Sequence, residues 1–578
     1  MKKLLSLLIA STLFGAVAVA FAQDDDTYVY MAAGGMDTLD PAEAYDTASG
    51  VALENVYETL YAYDEESITE FVPALATDYE ISDDGLTYTY TLREGVQFHS
   101  GNTMTCRDVE YSIERILVMN GSGTGVWFQS EALLGTGANA NDDDSITWEK
   151  IDGAVECLDE QTVQFTLPSP DPAFFVKLMY TNASIVDSQW AIQNGEWSGT
   201  QEDWREWVGF DGHDSFLHDE VSGTGAYELV DWDGTDSVYQ RFDGYWGEQP
   251  DIETVQYQIV DELSTRVLAL QNGEADRIIL GSNSDWATLE AQVRGLDGVR
   301  IWEDDDWAST TVSAIHMTHD ITLEDNEAYV GSGELDGNGI PSDFFQDVDV
   351  RKGFAYSFDQ DVMIDELFLG NGSRLTMALP PSFLGYDDTV PTYEYDPEQA
   401  EEHFRQAYDG ELWDTGFELT IAYNTGNQTR QTIAEILKAN VEALNPNFTV
   451  NVRGVQWPDF LEAYQESRQP ISLLGWAPDY ADPDNFIHTF YHSEGVFGGA
   501  YGYDYPEIDR LIEDARQTTN TEEREFYYNQ VGRLAYEEVP LVPYPTADVF
   551  MVTRDNVEGV YYNPMLSHFF QWKSISKN

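Results

Sequence analysis

Residues 82–99 read Ser-Asp-Asp-Gly-Leu-Thr-Tyr-Thr-Tyr-Thr-Leu-Arg-Glu-Gly-Val-Gln-Phe-His. Between Leu86 and Leu92, apolar or aromatic residues alternate with threonine, which is the period of a strand with one buried face. The turn-forming triplet Asp83-Asp84-Gly85 comes directly before this strand. The sequence therefore predicts a β-hairpin over residues 79–92.

A helix is predicted shortly after this hairpin. Thr105 and Asp108 have the spacing of an N-terminal cap pair, and apolar residues follow at helical spacing over residues 109–117. Later in the chain, an alternating strand at residues 417–421 precedes an apolar helical stripe over residues 433–444. This succession of strands and helices indicates an α/β protein.

The first 22 residues have the composition of a secretory signal peptide. Lys2 and Lys3 precede an apolar run over residues 4–20, and Ala20-Phe21-Ala22 forms a small-x-small cleavage site. No later apolar run reaches the ~20 residues that a membrane span needs. The sequence predicts a secreted chain starting at Gln23, periplasmic or extracellular, and without a lipid-anchor cysteine. Its length predicts two or three domains.

The composition is strongly acidic, with 28 Lys and Arg against 105 Asp and Glu, for a formal net charge of −77. Such a surface repels nucleic acid and anionic lipid, so neither is expected as a partner. The 42% of hydrophobic residues are enough for a packed core. Because the acidic residues are spread along the whole chain, a role in solubility in a salty medium is favoured over attraction of cationic ligands.

Cys106 and Cys157 are the two cysteines of the chain. In an oxidising compartment they could form one disulfide, closing a loop of about 50 residues. Two free, buried thiols are the alternative. Pairing requires close Cα atoms, so the sequence leaves both possibilities open.

Short motifs follow one another in a fixed order along residues 28–565. They include Thr38-Leu-Asp-Pro-Ala-Glu-Ala44, residues 82–99, Thr105-Cys-Arg-Asp-Val-Glu-Tyr-Ser-Ile-Glu-Arg115, Gly223-Thr-Gly-Ala-Tyr-Glu-Leu229, Leu270-Gln-Asn-Gly-Glu-Ala-Asp276, Asp349-Val-Arg-Lys-Gly-Phe-Ala-Tyr356 and Gly475-Trp-Ala-Pro-Asp-Tyr-Ala-Asp-Pro-Asp-Asn485. In this order they resemble the family 5 extracellular solute-binding proteins, the peptide/nickel-type receptors of ABC importers. The family usually has alanine at the position of Cys106.

The resemblance implies a two-lobed α/β periplasmic-binding-protein fold of type II, with an extra subdomain in lobe I. The implied divisions are lobe I at 23–309 with an inserted subdomain roughly at 66–200, lobe II at 310–546, and a return to lobe I at 547–578. Hinge crossings are expected near 307–312 and 546–550. The implied function is capture of a ligand by hinge closure and its delivery to an ABC permease, by a monomer.

The sharpest candidate for ligand binding is Asp479, in Trp476-Ala-Pro-Asp479-Tyr480. In peptide-binding relatives an aspartate at the matching position faces the ligand's α-ammonium group, where a carboxylate accepts charge-assisted hydrogen bonds. The alternative is a turn cap beside Pro478. Trp476 and Tyr480 are expected either to pack on the ligand or to lie in the core.

Two further segments are implied by the resemblance. Tyr45, Asp46 and Thr47 match a stretch of lobe I that lines the cleft in dipeptide-type relatives. Those relatives carry an arginine for the peptide carboxylate just after the strand at 417–421, where this chain has Asn424-Thr-Gly-Asn427, with Arg430 some residues later at the start of the helix. Without that guanidinium a bidentate partner is lost. The departure favours a longer peptide, or an oligosaccharide, over strict dipeptide selectivity.

Other classes of function receive less support. His488 and His492 have the i,i+4 spacing of metal ligands on a helix, but no Glu follows His488, so the metalloprotease pattern is absent. Hydrolase and phosphate-loop motifs are missing as well. We therefore expect no catalysis, metal or cofactor, and keep a ligand sensor and a secreted hydrolase as alternatives.

Overall fold

The computed structural model describes residues 26–121, 124–280 and 286–578. The predicted signal peptide lies outside these residues. In the part of the chain that is described, none of the helices combines the length and apolar character required to cross a membrane.

The first body is built on a mixed sheet that has eight strands within the described residues. Seven of them lie side by side in the order Val299–Ala308, Thr546–Arg554, Arg277–Ile278, Thr27–Ala32, Thr254–Ile259, Ser237–Arg241 and Tyr227–Trp232. The eighth, Gly372–Ser373, pairs with Thr546–Arg554. Tyr28 and Tyr30 on one face of the strand Thr27–Ala32, and Val29 and Met31 on the other, are all buried, as expected where both faces of a sheet are covered. The helices of this body are Thr47–Val56, Cys106–Met119, Trp127–Leu134, Trp148–Asp152, Phe174–Lys177, Ser188–Gln193, Leu263–Asn272 and Trp286–Val293.

A four-stranded antiparallel sheet stands apart within the first body, in the order Ala76–Ile81, Thr87–Leu92, Thr162–Thr166 and Val155–Asp159. Its first two strands confirm the predicted hairpin, and Gly85 has φ +70° at the turn between them. The helix Cys106–Met119 follows as predicted, and the Asp108 carboxylate accepts from the Thr105 main-chain N–H at 2.8 Å. Short pairs Tyr61–Tyr63 with Phe71–Pro73, and Val557–Glu558 with Ser576–Lys577, complete the strands of this body.

Cys106 and Cys157 are joined by a disulfide, with their Cα atoms 5.7 Å apart. The bond connects the first turn of the helix Cys106–Met119 to the edge strand Val155–Asp159. Of the two possibilities left open by the sequence, the structure has the disulfide.

The second body is built on a five-stranded sheet in the order Phe448–Val455, Phe417–Asn424, Ile471–Trp476, Val312–Met317 and Leu541–Pro543. The predicted strand and helix at its centre are confirmed: Phe417–Asn424 leads into the helix Gln428–Leu444 and pairs in parallel with Phe448–Val455. The helices of this body are Glu327–Val330, Val348–Ser357, Gln360–Val362, Pro397–Gln406, Glu411–Thr415, Gln428–Leu444, Trp457–Gln465, Asp484–Tyr491, Val496–Ala500, Pro506–Gln517 and Thr521–Glu538.

Apart from the two-residue strand Gly372–Ser373, which pairs with Thr546–Arg554, the described part of the chain passes between the two sheets twice. It crosses between Val299–Ala308 and Val312–Met317, and again between Leu541–Pro543 and Thr546–Arg554. The hinge segments expected from the sequence, 307–312 and 546–550, overlap the first crossing and adjoin the second. Two large apolar cores lie on either side of these crossings, one with members from Tyr28 to Tyr257 and from Met551 to Ile575, the other from Val312 to Ala547.

Candidate functional site

A cavity of about 880 Å³ lies between the two bodies. The first body contributes, among others, Tyr45, Asp46, Thr47, Tyr180, Arg277 and His568. The second contributes, among others, Asn427, Arg430, Trp476 and Asp479. The volume is within the range of sites that enclose small molecules, about 300–1,000 Å³. A molecule held here would contact both bodies.

The turn that carries Asp479 is held by one amide side chain. Asn485, in the first turn of the helix Asp484–Tyr491, accepts from the Asp479 main-chain N–H at 2.9 Å and from Trp476 Nε1 at 3.1 Å. Its Nδ2 donates to Asp479 Oδ2 at 3.1 Å. These bonds orient the carboxylate at the end of the strand Ile471–Trp476, where that strand reaches the cavity.

Asp479 is a buried carboxylate, only 8% exposed, on the cavity wall. Its Oδ1 accepts from the Tyr45 hydroxyl at 2.9 Å, and this bond joins the two bodies directly. Burial raises the pKa of Asp479 to about 6, although the hydrogen bonds from Asn485 and Tyr45 act in the opposite direction. Among the described residues no basic side chain forms an ion pair with it. A cationic group in the cavity would supply the missing counter-charge.

The three consecutive residues predicted in lobe I all line the cavity. Asp46 is the N-cap of the helix Thr47–Val56, and its Oδ1 accepts from the Ser49 main-chain N–H at 2.9 Å. This cap fixes the backbone that presents Tyr45 to Asp479. Tyr45 is therefore the member of the trio that reaches across the cavity.

Of the remaining predicted residues, one lines the cavity and two do not. Trp476 lines the cavity, whereas Tyr480 lies outside its lining and is 2% exposed. The Tyr480 ring packs on Phe128 of the first body, with ring centroids 5.2 Å apart, so its position corresponds to the core alternative. Asn424 also lies outside the lining, and its Oδ1 accepts from Arg430 Nη1 at 2.8 Å.

The family model named "Bacterial extracellular solute-binding proteins, family 5 Middle" matches residues 70–498. The chain belongs to this family. It is 25% identical to the dipeptide-binding protein of Escherichia coli strain K12 over 579 residues, covering 97% of this chain and 96% of that relative.

Two solved structures show the same two-lobed fold as this family 5 protein. The binding protein DppA from Helicobacter pylori, in complex with the peptide STSA, has a TM-score of 0.71 and 22% identity, and covers 95% of this chain and 98% of its own. The oligopeptide-binding protein AppA from Bacillus subtilis, in complex with a nonapeptide, has a TM-score of 0.69 and 19% identity, over 96% and 99%.

The two histidines considered as metal ligands lie in this family 5 protein at the end of the helix Asp484–Tyr491. The rings of His488 and His492 stack with centroids 4.6 Å apart, and His492 Nε2 is 3.8 Å from Glu513 Oε1. Burial lowers the pKa of His488 to about 3. Across the described ranges no group of three or more His, Cys, Asp or Glu side chains has the arrangement of a metal site.

Asn485 and Arg277 are among the residues of the site that were not found from the sequence. Asn485 is part of the motif that contains Asp479. Its contacts depend on how the helix Asp484–Tyr491 packs against the turn that carries Asp479. Arg277 begins the apolar run Arg277-Ile-Ile-Leu280, and a lone basic residue at the start of a buried strand is a signal that could have marked it.

Proposed function

We propose that this chain is the substrate-binding component of an ABC importer, which captures a peptide between its two lobes and delivers it to a permease. The observation that supports this most directly is the buried Asp479 carboxylate, which faces the cavity and lacks a basic partner among the described residues. A peptide's terminal ammonium group provides a compact cation with three donors, and charge-assisted hydrogen bonds to a carboxylate are among the strongest.

Capture works by closure of the lobes. The two crossings near residues 309–311 and 544–545 absorb the change in backbone angles while each lobe moves as a rigid unit. A ligand that contacts both lobes favours the closed form by its difference in affinity for the two forms. Closure also removes water from the cavity, which strengthens the contact between Asp479 and an ammonium group. No bond is made or broken, so the protein acts as a binder and not as an enzyme.

The lobe boundaries belong to the same proposal. Lobe I comprises residues 23–309 and 547–578 with its inserted subdomain, and lobe II comprises residues 310–546. The two apolar cores and the two crossings support this division. We propose in addition that the chain is secreted to the periplasm or the exterior after removal of residues 1–22, and that it acts as a monomer.

A peptide fits this site better than an oligosaccharide. A neutral sugar offers hydroxyl groups but no positive charge to balance the buried Asp479 carboxylate. The related proteins named above are dipeptide- and oligopeptide-binding proteins, which supports the same ligand class. The cavity of about 880 Å³ has room for more than a single amino acid.

The test uses pools of alanine–leucine peptides two to five residues long, which differ only at their ends: free, N-acetylated, or C-terminally amidated. We expect the wild-type protein to bind the free pool, and N-acetylation or the substitution Asp479→Asn to weaken binding by about ten- to a hundredfold, because each removes one charged hydrogen bond. Isothermal titration measures the affinities.

The exposed Asp388 in lobe II provides the matched control. Asp388→Asn makes the same change of charge outside the cavity lining and should bind as the wild type does. If none of the pools binds to the wild-type protein, peptide capture is the wrong function. If the free pool binds equally to wild type and Asp479→Asn, the function stands but the anchoring role of Asp479 does not.

A further inference from the structure

Buried arginines in this protein are stabilised either by carboxylates or by main-chain carbonyl oxygens, as two examples illustrate. Arg115, 1% exposed, donates to both carboxylate oxygens of Asp40 at 2.6 Å and to Glu196 at 2.7 Å. Arg266, 2% exposed, donates instead to three main-chain carbonyl oxygens, those of Val260, Asp261 and Ile279. In both cases the guanidinium is surrounded by oxygen acceptors.

Arg277 is as buried as Arg266, at 2% exposed, but its oxygen neighbours are few and uncharged, and they include the buried Tyr28 hydroxyl. Its Nη2 donates to the His568 carbonyl oxygen at 2.9 Å and lies 3.5 Å from Met551 Sδ. The guanidinium carbon lies 4.2 Å from the centre of the Phe570 ring, and Nε has no hydrogen-bond partner. Within the described ranges no carboxylate forms an ion pair with Arg277.

The lack of a carboxylate is notable in a chain with 105 acidic residues against 28 basic ones. A buried charge without a counter-ion is costly to the fold. Burial accordingly lowers the pKa of Arg277 to about 10, yet the side chain stays positively charged at neutral pH. A buried, unpaired charge on a cavity wall lowers the stability of the fold, but it is available to bind an oppositely charged group of a ligand.

The position of Arg277 is suited to that role. It lines the cavity between the lobes, on the lobe I side, whereas Asp479 lines it on the lobe II side. His568 lines the same wall next to Arg277, and its Nδ1 also has no hydrogen-bond partner. Burial lowers the pKa of His568 to about 3, so the ring is neutral and does not repel the guanidinium.

We propose that Arg277 binds a carboxylate of the ligand, so that lobe I holds the anionic end and lobe II holds the ammonium end. The proposal rests on the proposed function and deepens it: the ligand is a zwitterion, such as a short peptide with both termini free. A guanidinium matches the planar geometry of a carboxylate with two parallel N–H donors. Arg277 offers this guanidinium from lobe I, whereas Arg430, which donates to Asn424, lines the cavity on the lobe II side.

The test compares free and C-terminally amidated alanine–leucine pools on three proteins: wild type, Arg277→Gln and Arg430→Gln. Arg430 is a second arginine of the lining and is the competing candidate for the ligand carboxylate. In the wild type, amidation should lower the affinity about tenfold or more, as expected for loss of a hydrogen bond to a charged group. Arg277→Gln should bind both pools equally, and as weakly as the wild type binds the amidated pool. Arg430→Gln should keep the wild-type ratio.

Thermal unfolding separates binding from a purely structural role. Because Arg277→Gln removes a buried charge that has no counter-ion, the ligand-free variant should unfold at or above the wild-type temperature. Arg277→Lys, which keeps the charge but loses the paired donors, should have an intermediate ratio of affinities for the two pools.

Three results would overturn the inference: amidation has no effect on the wild type, its effect persists in Arg277→Gln, or its effect disappears in Arg430→Gln instead. Each leaves peptide capture intact, provided that the free pool binds. Failure of every pool to bind the wild type is a different outcome, and it removes the proposed function itself.

Discussion

At the scale of single residues, burial decides which protonation state of Asp479 is available to a ligand. Its pKa in the ligand-free protein is raised to about 6 from an ordinary value of 3.8. The carboxylate is therefore largely protonated at pH 5 and largely ionised at pH 7. An ammonium ligand requires the ionised form, so binding and deprotonation of Asp479 are linked.

This linkage predicts that the affinity for peptides with a free amino terminus falls as the pH drops through 6, by at most about tenfold per pH unit below that value. Titration calorimetry between pH 5 and pH 7 measures it. Asp479→Asn should have a flat profile over this range. Equal pH dependence in the variant and the wild type would show that another group is responsible.

The same shift has the opposite sign for the stability of the ligand-free protein. Because the folded pKa of Asp479 lies above its ordinary value, the group adds stability that is complete below pH 3.8 and is lost as the pH rises through about 6. A bound cation reverses this, since it favours the ionised carboxylate. Binding and folding thus respond in opposite directions to the same proton.

At the scale of secondary structure, the disulfide ties a helix to a sheet edge inside the inserted subdomain. Cys106 is the first residue of its helix, and Cys157 lies in the strand Val155–Asp159, 51 positions later. A crosslink that closes a loop of this length restricts the unfolded chain and stabilises the fold by about 4 kcal/mol.

We expect the double substitution Cys106→Ser, Cys157→Ser to lower the unfolding temperature while leaving peptide affinity within about twofold of the wild type, because the bond lies away from the cavity lining. Calorimetry with and without a reductant gives the comparison. Reduction of the wild type should reproduce the variant, and reductant should not affect the variant. An unchanged unfolding temperature in both cases would contradict a stabilising role.

The elements themselves were largely predictable from local patterns. Alternation over residues 86–92 and the helical stripe over residues 433–444 are short-range signals, because strand and helix faces repeat every two and about 3.6 residues. The bond between Tyr45 and Asp479 spans 434 positions, and no local pattern encodes it. Tyr480 is a second example of this limit. Its aromatic ring is compatible with packing on a ligand or with burial in the core, and only its contacts in the folded protein distinguish these two roles.

At the scale of the whole molecule, the lobes contact each other outside the cavity as well. Arg516 Nη2, on the helix Pro506–Gln517 of lobe II, lies 2.8 Å from Glu131 Oε2, on the helix Trp127–Leu134 of lobe I. Both side chains are between a quarter and a third exposed. The contact of Tyr480 with Phe128 lies in the same region between the lobes. These contacts favour closure independently of a ligand.

We predict that Glu131→Gln shifts the ligand-free protein toward an open form and weakens peptide binding about two- to fivefold, since a partly exposed ion pair contributes about 0.5–1 kcal/mol. Small-angle scattering should show a larger radius of gyration than for the wild type. High salt should reduce the difference between the two proteins, because it screens the pair.

Asp514→Asn is the matched control for this substitution. Asp514 pairs with Arg510 within the same helix, Nη1 to Oδ2 at 2.7 Å, so its loss changes the charge equally without touching the other lobe. Its scattering curve should match that of the wild type. If Glu131→Gln also matches the wild type in both scattering and affinity, the pair does not contribute to closure.

The sequence by itself determined the class of this protein: an ordered series of motifs for the family, alternating and helical periods for an α/β fold, and Asp479 as the candidate anchor. The periods and each single motif are local, because they depend on residues a few positions apart, whereas the order of the motifs and the role of Asp479 come from the resemblance to the family. Only the tertiary structure decided the disulfide, the placement of Tyr45 against Asp479, the exclusion of Tyr480 and Asn424 from the cavity lining, and the uncompensated charge of Arg277. Each of these depends on distances between side chains, or on the burial of a side chain, in the folded protein. Tertiary packing sets these quantities, and local periodicity does not.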